Sequence, residues 1–354
     1  MSRARSPYME WAKSRSKPSI DLAGSNLLPC ALDDLPGARD AVDLAGESPN
    51  GYRPLVEAIA ARYGVRPENV ATAVGCSGAN FLALAALVES GDEVLFEQPG
   101  YDPLAAAATM LGARVTRFER RFEERWRLDP DPIARALTSR TRVVMLSSPH
   151  NPSGVLAATD DLSKIGRLAE RRGFTVLVDE VYLDLASAAH PPAATLSPAF
   201  VSTNSLTKAY GLASLRCGWA LASPDVTEKI RRARDVVDVW GPMPADRLSV
   251  VAFDNIERLA ERARRIVESN APLVRSFLAG RDELECIPSH ATIAFPRFAD
   301  GSDSSAFVER LFLERGVAVV PGAFFDSPSH FRISFGGATE PLREGLAAIA
   351  AVLG

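Results

Sequence analysis

The sequence predicts an α/β protein: a large domain with a mostly parallel sheet flanked by helices, and a smaller α+β domain. Three observations predict it. Strand and helix patterns alternate between about residues 70 and 225. The strand segments are continuous apolar runs rather than alternations, as in a sheet covered on both faces. A second, shorter alternation follows a long amphipathic stretch that begins near residue 255.

Taken in order, DEVLFEQPGY (92–101) reads as a strand running into a turn, and PLAAAATMLG (103–112) as a helix stopped by glycine. ARVTRFE (113–119) is a strand and DPIARALTS (131–139) a capped helix. TRVVMLSSPHNPSG (141–154) is a strand that ends in a Pro/Asn/Gly turn. TDDLSKIGRLAERRG (159–173) reads as a helix capped by Thr159 and closed by Gly173. FTVLVDEVYLDL (174–185) is a buried strand entering polar residues, and AFVSTNS (199–205) and RCGWALAS (216–223) are further strands. Residues 255–280 form one long amphipathic helix with Pro272 inside it. Strands over 291–298, 317–322 and 330–337 and helices over 304–316 and 340–353 complete the smaller domain. The expected organisation is an N-terminal arm and part of the small domain over 1–45, a large domain over 46–270 and a small domain over 271–354. The arm packs beside the small domain or on a partner subunit.

Composition excludes several function classes. The formal net charge is −4, with no basic stripe and no long run of one sign, so neither nucleic acid nor a membrane surface is an expected partner. The first 24 residues are basic but lack the apolar run of a signal peptide. NFLALAALVES (80–90), the longest apolar candidate, falls short of the ~20 residues of a membrane span. Cys30, Cys76, Cys217 and Cys286 are scattered, without metal-ligand spacing, and read as reduced thiols of a cytoplasmic protein.

Lysine is scarce: five against 35 arginines. Lys13, Lys17, Lys164 and Lys229 stand among polar or charged neighbours and read as surface charges. Lys208 stands in NSLTKAYGLASLRCG (204–218), among small and hydroxyl residues. A lysine in a dry pocket has a lowered pKa and condenses with aldehydes.

Ligands of doubly wound sheets bind beyond the carboxyl ends of the strands, so the polar residues after each strand are candidates. Gly75, Cys76, Ser77 and Gly78 open an apolar helix and resemble an anion site, or an ordinary capped helix. Tyr101 follows a strand and can stack on a flat ring or cover the core edge. Asn151 sits between prolines and can offer its amide to a phenolic oxygen or satisfy its own turn. Asp179 ends a buried strand and needs a cationic partner, which an arginine would also supply; Tyr182 follows it. Ser205 and Arg216 add two groups for a phosphate. Arg332, in the apolar strand HFRISFGG, suits a carboxylate or an interdomain ion pair. Together these groups describe a phosphorylated aromatic aldehyde with a phenolic oxygen and a protonated ring nitrogen, which is pyridoxal phosphate.

The ordered motifs VGCSGAN, EQPGY, HNPSG, VDEVY, SLTKAYGLASLRCG and FRISFG resemble those of the class I/II aminotransferases, fold-type I pyridoxal-phosphate enzymes, over nearly the whole chain. The resemblance implies that Lys208 forms the Schiff base with the cofactor and shuttles the proton. It implies that Asp179 pairs with the ring nitrogen, that Asn151 and Tyr182 hold the ring hydroxyl, and that Tyr101 stacks on the ring. Gly75, Cys76, Ser77, Ser205 and Arg216 would hold the phosphate. Arg332, Gly24, Asn26 and Asn151 would meet the substrate, with Arg332 on its α-carboxylate. The implied partners are an amino acid, a 2-oxo acid and a second copy of the chain as a homodimer; no metal is implied.

Two positions depart from the family pattern. Gly46 stands where many relatives carry a tyrosine that reaches the partner subunit's phosphate, and Cys217 replaces an aliphatic residue or alanine. Transamination is the favoured reaction; lyase, decarboxylase or cyclase chemistry on an amino acid is the alternative. Tyr8, Trp11, Asn26, Trp240 and Phe324 are candidates for a substrate pocket, with a core or interface position the favoured reading of each.

Overall fold

The computed structural model describes residues 5–186 and 190–354; the first four residues of the basic N-terminal stretch lie outside them. Helix α1 (Pro7–Ser14) and the two-residue strand β1 (Ile20–Asp21) form the arm, followed by α2 (Ala38–Ala41) and α3 (Arg53–Tyr63). The arm packs on both parts of the molecule. Strand β1 pairs in parallel with β12 (Val317–Ala318). The Ser6 hydroxyl, which caps α1, also donates to Asp102 at 3.0 Å.

The central sheet has seven strands: β2 (Val70–Val74), β3 (Glu93–Gln98), β4 (Arg114–Glu119), β5 (Thr141–Ser147), β6 (Thr175–Asp179), β7 (Phe200–Ser205) and β8 (Cys217–Leu221). Their order is β2-β8-β7-β6-β5-β3-β4, and β8 alone runs against its neighbours. The apolar runs of the sequence are explained by helices on both faces. Helices α4 (Gly75–Leu87) and α5 (Asp102–Met110) bury Leu82, Leu84 and Leu104 against Val94, Phe96 and Met145. On the other face, beside α6 (Pro130–Ala136), helix α7 (Thr159–Arg172) buries Leu162 and Ile165 against Val144, Val176 and Phe200. Each such side chain is worth roughly 1.5–3 kcal/mol of transfer free energy. Thr159 lies inside α7 rather than capping it; Ala158 is the cap residue and makes no side-chain bond.

Helices α8 (Pro224–Val237) and α9 (Met243–Asp254) lead into α10 (Ile256–Ala279), a 24-residue helix that keeps Pro272 within it. The following strands are shorter than the sequence suggests: β9 (Leu284–Glu285), β10 (Ile293–Ala294), β11 (Arg297–Phe298), β12, β13 (Val320–Pro321) and β14 (Phe331–Ser334). Strand β14 is central in an antiparallel trio with β10 and β13. Helices α11 (Ser305–Arg315) and α12 (Thr339–Leu353) close over this part through Leu311, Leu342 and Ile349. Among the described residues no helix is long and apolar enough to cross a membrane.

One close approach aligns the sheet with the start of α4. A Cβ on Gly218 would lie 2.2 Å from the Gly75 carbonyl carbon. Gly218→Ala must therefore separate β8 from the β2–α4 turn, and it is expected to lower stability by roughly 1–3 kcal/mol, read as a reduced midpoint in thermal unfolding.

Candidate active site

The carboxyl ends of β5, β6 and β7 and the start of α4 surround a cavity of about 180 Å³. Lys208, three residues beyond β7, turns its amine toward the arm: Nζ donates to Ser25 Oγ at 3.0 Å and to Asn26 Oδ1 at 2.6 Å. Burial, and next the positive charge of Arg332, lower its pKa to about 8. An amine in that range is a usable nucleophile and proton carrier near neutral pH.

Asp179 closes β6 on the cavity wall. Asn80 Nδ2 donates to its Oδ2 at 2.8 Å, and the Val181 N–H donates to its Oδ1 at 3.1 Å. Asn80 Oδ1 accepts in turn from the Thr203 hydroxyl at 2.6 Å. Burial raises the Asp179 pKa, opposed first by the Asn80 bond. No cation lies within ion-pair reach of this carboxylate among the described residues.

Gly75 adopts φ +72°, and a Cβ there would lie 2.2 Å from Arg216 Nη2, so only glycine lets the guanidinium approach. The Gly75 N–H is not free for an anion, because it donates to the Arg216 carbonyl at 2.7 Å. The N–H groups of Cys76 and Ser77, in the first turn of α4, have no acceptor within the helix. Ser205 is fully buried, and it lines the cavity with Ser77 and Arg216. Tyr101, ahead of α5, lines it too, and Tyr182 contributes a buried hydroxyl that has no hydrogen-bond partner within 3.5 Å among the described residues, Ser25 being near it. Burial pushes that phenol up to about 12.

Arg332 does not line the cavity. It is fully buried in β14, directly behind Asn151. Nη1 donates to Asn151 Oδ1 at 3.0 Å, and Nη2 to the Tyr8 hydroxyl at 2.9 Å and the Ala23 carbonyl at 3.0 Å; Nε has no partner. No carboxylate lies within ion-pair reach among the described residues, so the interdomain ion pair is absent there.

Other expectations resolve unevenly. Asn26 lines the cavity, whereas Gly24 faces a separate hollow beside α1. Tyr8, Trp11 and Phe324 pack together as an aromatic group next to Arg332. Trp240 is half exposed in the turn between α8 and α9, away from the cavity lining, so of its two readings the pocket one is not met. Gly46 has φ +149°, and a Cβ there would meet the Met243 Sδ and Cε at 2.9 Å, so the sulfur side chain takes the space of any larger residue. Sequence reasoning missed Asn80, Thr203 and Thr207, while Ser25 lies within the loop over 24–26 that it did single out. A lone Asn in the apolar helix GANFLALAAL was the available signal for Asn80; the hydroxyls of Thr203 in β7 and Thr207 in the turn after it offered none.

Two buried charges of opposite sign, Asp179 and Arg332, therefore flank Lys208 without counter-ions. An anion cradle stands beside them, with an unpartnered phenol between. These features fit pyridoxal phosphate and an amino-acid carboxylate: a protonated ring nitrogen would supply the cation that Asp179 lacks, and a ring hydroxyl a partner for Tyr182.

The chain matches the model of the family "Aminotransferase class I and II" over residues 21–349. It is 34% identical over 310 residues to the capreomycidine synthase of Streptomyces vinaceus, covering 86% of this chain and 79% of that protein. It is 30% identical over 327 residues to the aspartate/prephenate aminotransferase of Thermus thermophilus, covering 86% and 82%. A solved pyridoxal-phosphate-dependent aminotransferase from Streptococcus suis superposes with a TM-score of 0.94 at 26% identity, covering 100% of this chain and 98% of the other.

The lysine yields a prediction with a definite sign. Its folded pKa of about 8 lies below the ordinary 10.5, so its contribution to stability is present above 10.5 and lost as pH falls through 8. In the cofactor-free protein, the thermal midpoint of the wild type relative to Lys208→Met should rise from pH 8 to 10.5 and stay level below 8.

Proposed function

The chain belongs to the class I and II aminotransferases and depends on pyridoxal phosphate, and on that premise we propose that it moves the amino group of an α-amino acid to a 2-oxo acid. The observation that carries this reading is a lysine amine of lowered pKa set between an unpaired buried carboxylate and an unpaired buried guanidinium. When bound, the cofactor supplies an aldehyde for the amino group and a protonated ring that draws electrons from Cα.

The residues of the chain do the rest. Asp179, oriented by Asn80, holds the proton on the ring nitrogen. Arg332, kept in place by Asn151 on Nη1, would bind the α-carboxylate through Nη2, now held by Tyr8 and Ala23. Asn151 and Tyr182 hold the ring hydroxyl, and Tyr101 stacks on the ring. The backbone N–H groups of Cys76 and Ser77, with Ser205 and Arg216, hold the phosphate. Lys208 would hold the cofactor through its amine and, with that amine free, would take up and return the Cα proton on Nζ. Lys208 and Arg216 are the only cations on the cavity wall among the described residues, so nothing there reads a second carboxylate. That favours an apolar or aromatic side chain over aspartate.

A homodimer belongs to the same reading. Val236, Val237, Val239 and Trp240 are exposed, as are Val42 and Leu44 on the neighbouring segment that Arg247 joins to α9. A second reaction class is favoured by two observations: the similarity to a protein named as a synthase, and the filled space at Gly46. On that reading the same lysine and arginine serve elimination or cyclisation.

The test is a visible spectrum of the purified protein before and after addition of amino acids, singly and without a 2-oxo acid. Transamination predicts a yellow band that bleaches with a good substrate and returns on addition of a 2-oxo acid. A band that persists while ammonia, carbon dioxide or a ring-closed product appears selects the other class. Lys208→Ala should abolish the band; a variant spectrum matching the wild type overturns the assignment of the lysine.

A further inference from the structure

A buried polar chain runs from Ser147 and Asn151 on the cavity wall back to Glu97 and Arg120, which lie off it. Arg120, in the loop after β4, and Glu97, in β3, are both buried; Nη1 of Arg120 donates to Glu97 Oε2 at 3.0 Å. The rest of that guanidinium is held by the Trp126 carbonyl, with Nε at 2.9 Å and Nη2 at 2.5 Å. The other oxygen of Glu97 accepts twice from Ser147 at the end of β5: the N–H at 2.7 Å and the hydroxyl at 2.5 Å. Having given its proton to Glu97, the Ser147 hydroxyl can only accept from the next group, and it takes the backbone N–H of Asn151 at 2.9 Å, which fixes the turn that carries the carboxamide. Asn151 Oδ1 then accepts from Arg332. Five residues from four separate segments form one continuous relay.

The polarity of the relay settles the orientation of the Asn151 amide. Arginine is a donor only, so the oxygen of the carboxamide must face Arg332 and its NH₂ must face the cavity, which Asn151 lines. The turn carrying Asn151 is pinned from a second side. His150 Nε2 donates to the Pro99 carbonyl at 2.9 Å and Nδ1 accepts from Ser153 at 2.7 Å. Burial, and next Arg120, hold that imidazole well below its ordinary range, so it remains neutral.

We propose that Glu97, clamped by Arg120, is a positioning residue that acts through Ser147 to fix the Asn151 carboxamide, so that one side chain aims Arg332 at the substrate carboxylate and presents its NH₂ to the ring hydroxyl of the cofactor. Glu97 lies off the cavity wall; Ser147 stands on it, with its hydroxyl taken up by Glu97 and the Asn151 backbone N–H. The inference rests on the reading that pyridoxal phosphate and an α-amino acid fill this site. A rigid relay of this kind also explains an otherwise costly choice: burying Glu97 and Arg120 as an ion pair stabilises a fold little compared with apolar residues of the same size.

The experiment uses the cofactor-loaded full chain with Ser147→Ala, Ser147→Thr and Glu97→Gln. A donor on the ring oxygen favours its ionised form, so loosening Asn151 should raise the pH midpoint of the visible cofactor band, on the order of one unit in Ser147→Ala. The KM for an amino acid turned over by the wild type should rise on the order of tenfold, more than kcat falls. Ser147→Thr, which keeps the hydroxyl, should return both values toward wild type. Should Ser147→Ala not fold, Glu97→Gln is read by the same two measurements. A variant with a lower thermal midpoint but an unchanged band midpoint and KM makes the relay merely structural and overturns the proposal. The band titration needs no turnover, so a shifted midpoint without transamination product would sink the reaction assigned above and leave this inference standing.

Discussion

Charge buried without counter-charge organises this molecule. A guanidinium or carboxylate removed from water costs several kcal/mol unless a partner repays it. Asp179 and Arg332 are both taken deep into the protein and given only dipoles: a carboxamide and backbone N–H for one, a carboxamide, a phenol and a carbonyl for the other. Lys208 stands between them, and Arg332 helps to depress its pKa. The local fold pays attention to these three groups at every level: β6 ends on Asp179, β14 carries Arg332 through the middle of its trio, and the turn after β7 brings in the lysine.

The framework around them is built from close backbone contact. Gly75 and Gly218 bring α4 and β8 together at distances no Cβ would permit, which in turn admits Arg216 to the start of the helix. Strand β8 runs against its neighbours, so its first residues lie beside the carboxyl ends of the parallel strands. A strand of the usual direction would have delivered Arg216 to the opposite edge of the sheet. The antiparallel reversal and the glycine pair are thus two parts of one arrangement for holding a cation over free N–H groups.

Much of this was legible in the sequence because the decisive residues break local pattern. Lys208 among hydroxyls, Asp179 at the end of an apolar run and Arg332 inside an apolar strand are each anomalous where they stand, and each reaches the site region. Residues that fit their surroundings were silent. Ser147 reads as an ordinary strand end, and Thr203 as a β-former; their importance lies in partners dozens of residues away. Trp240 was ambiguous for the reverse reason: its size fits a pocket, a core or an interface alike, and it sits half exposed in a turn. The short strands after α10 were overextended in the reading because apolar content there comes from packing under α11 and α12 rather than from long ladders.

The four residues from Ala23 to Asn26 touch both ends of the constellation. The Ala23 carbonyl holds Arg332, while Ser25 and Asn26 hold the Lys208 amine. On the reading proposed above, the same short stretch of chain would occupy donors that two different ligand groups need, one at each end of the site. Displacing it from the arginine and displacing it from the lysine are not independent events, since a segment this short cannot leave one and keep the other unstrained. By thermodynamic reciprocity, whatever free energy one occupant spends in moving the segment is spared the second, and by the same amount in either order. The arm is in that sense a shared competitor, and cooperativity between the two occupants is a property of the chain's connectivity rather than of any contact between them.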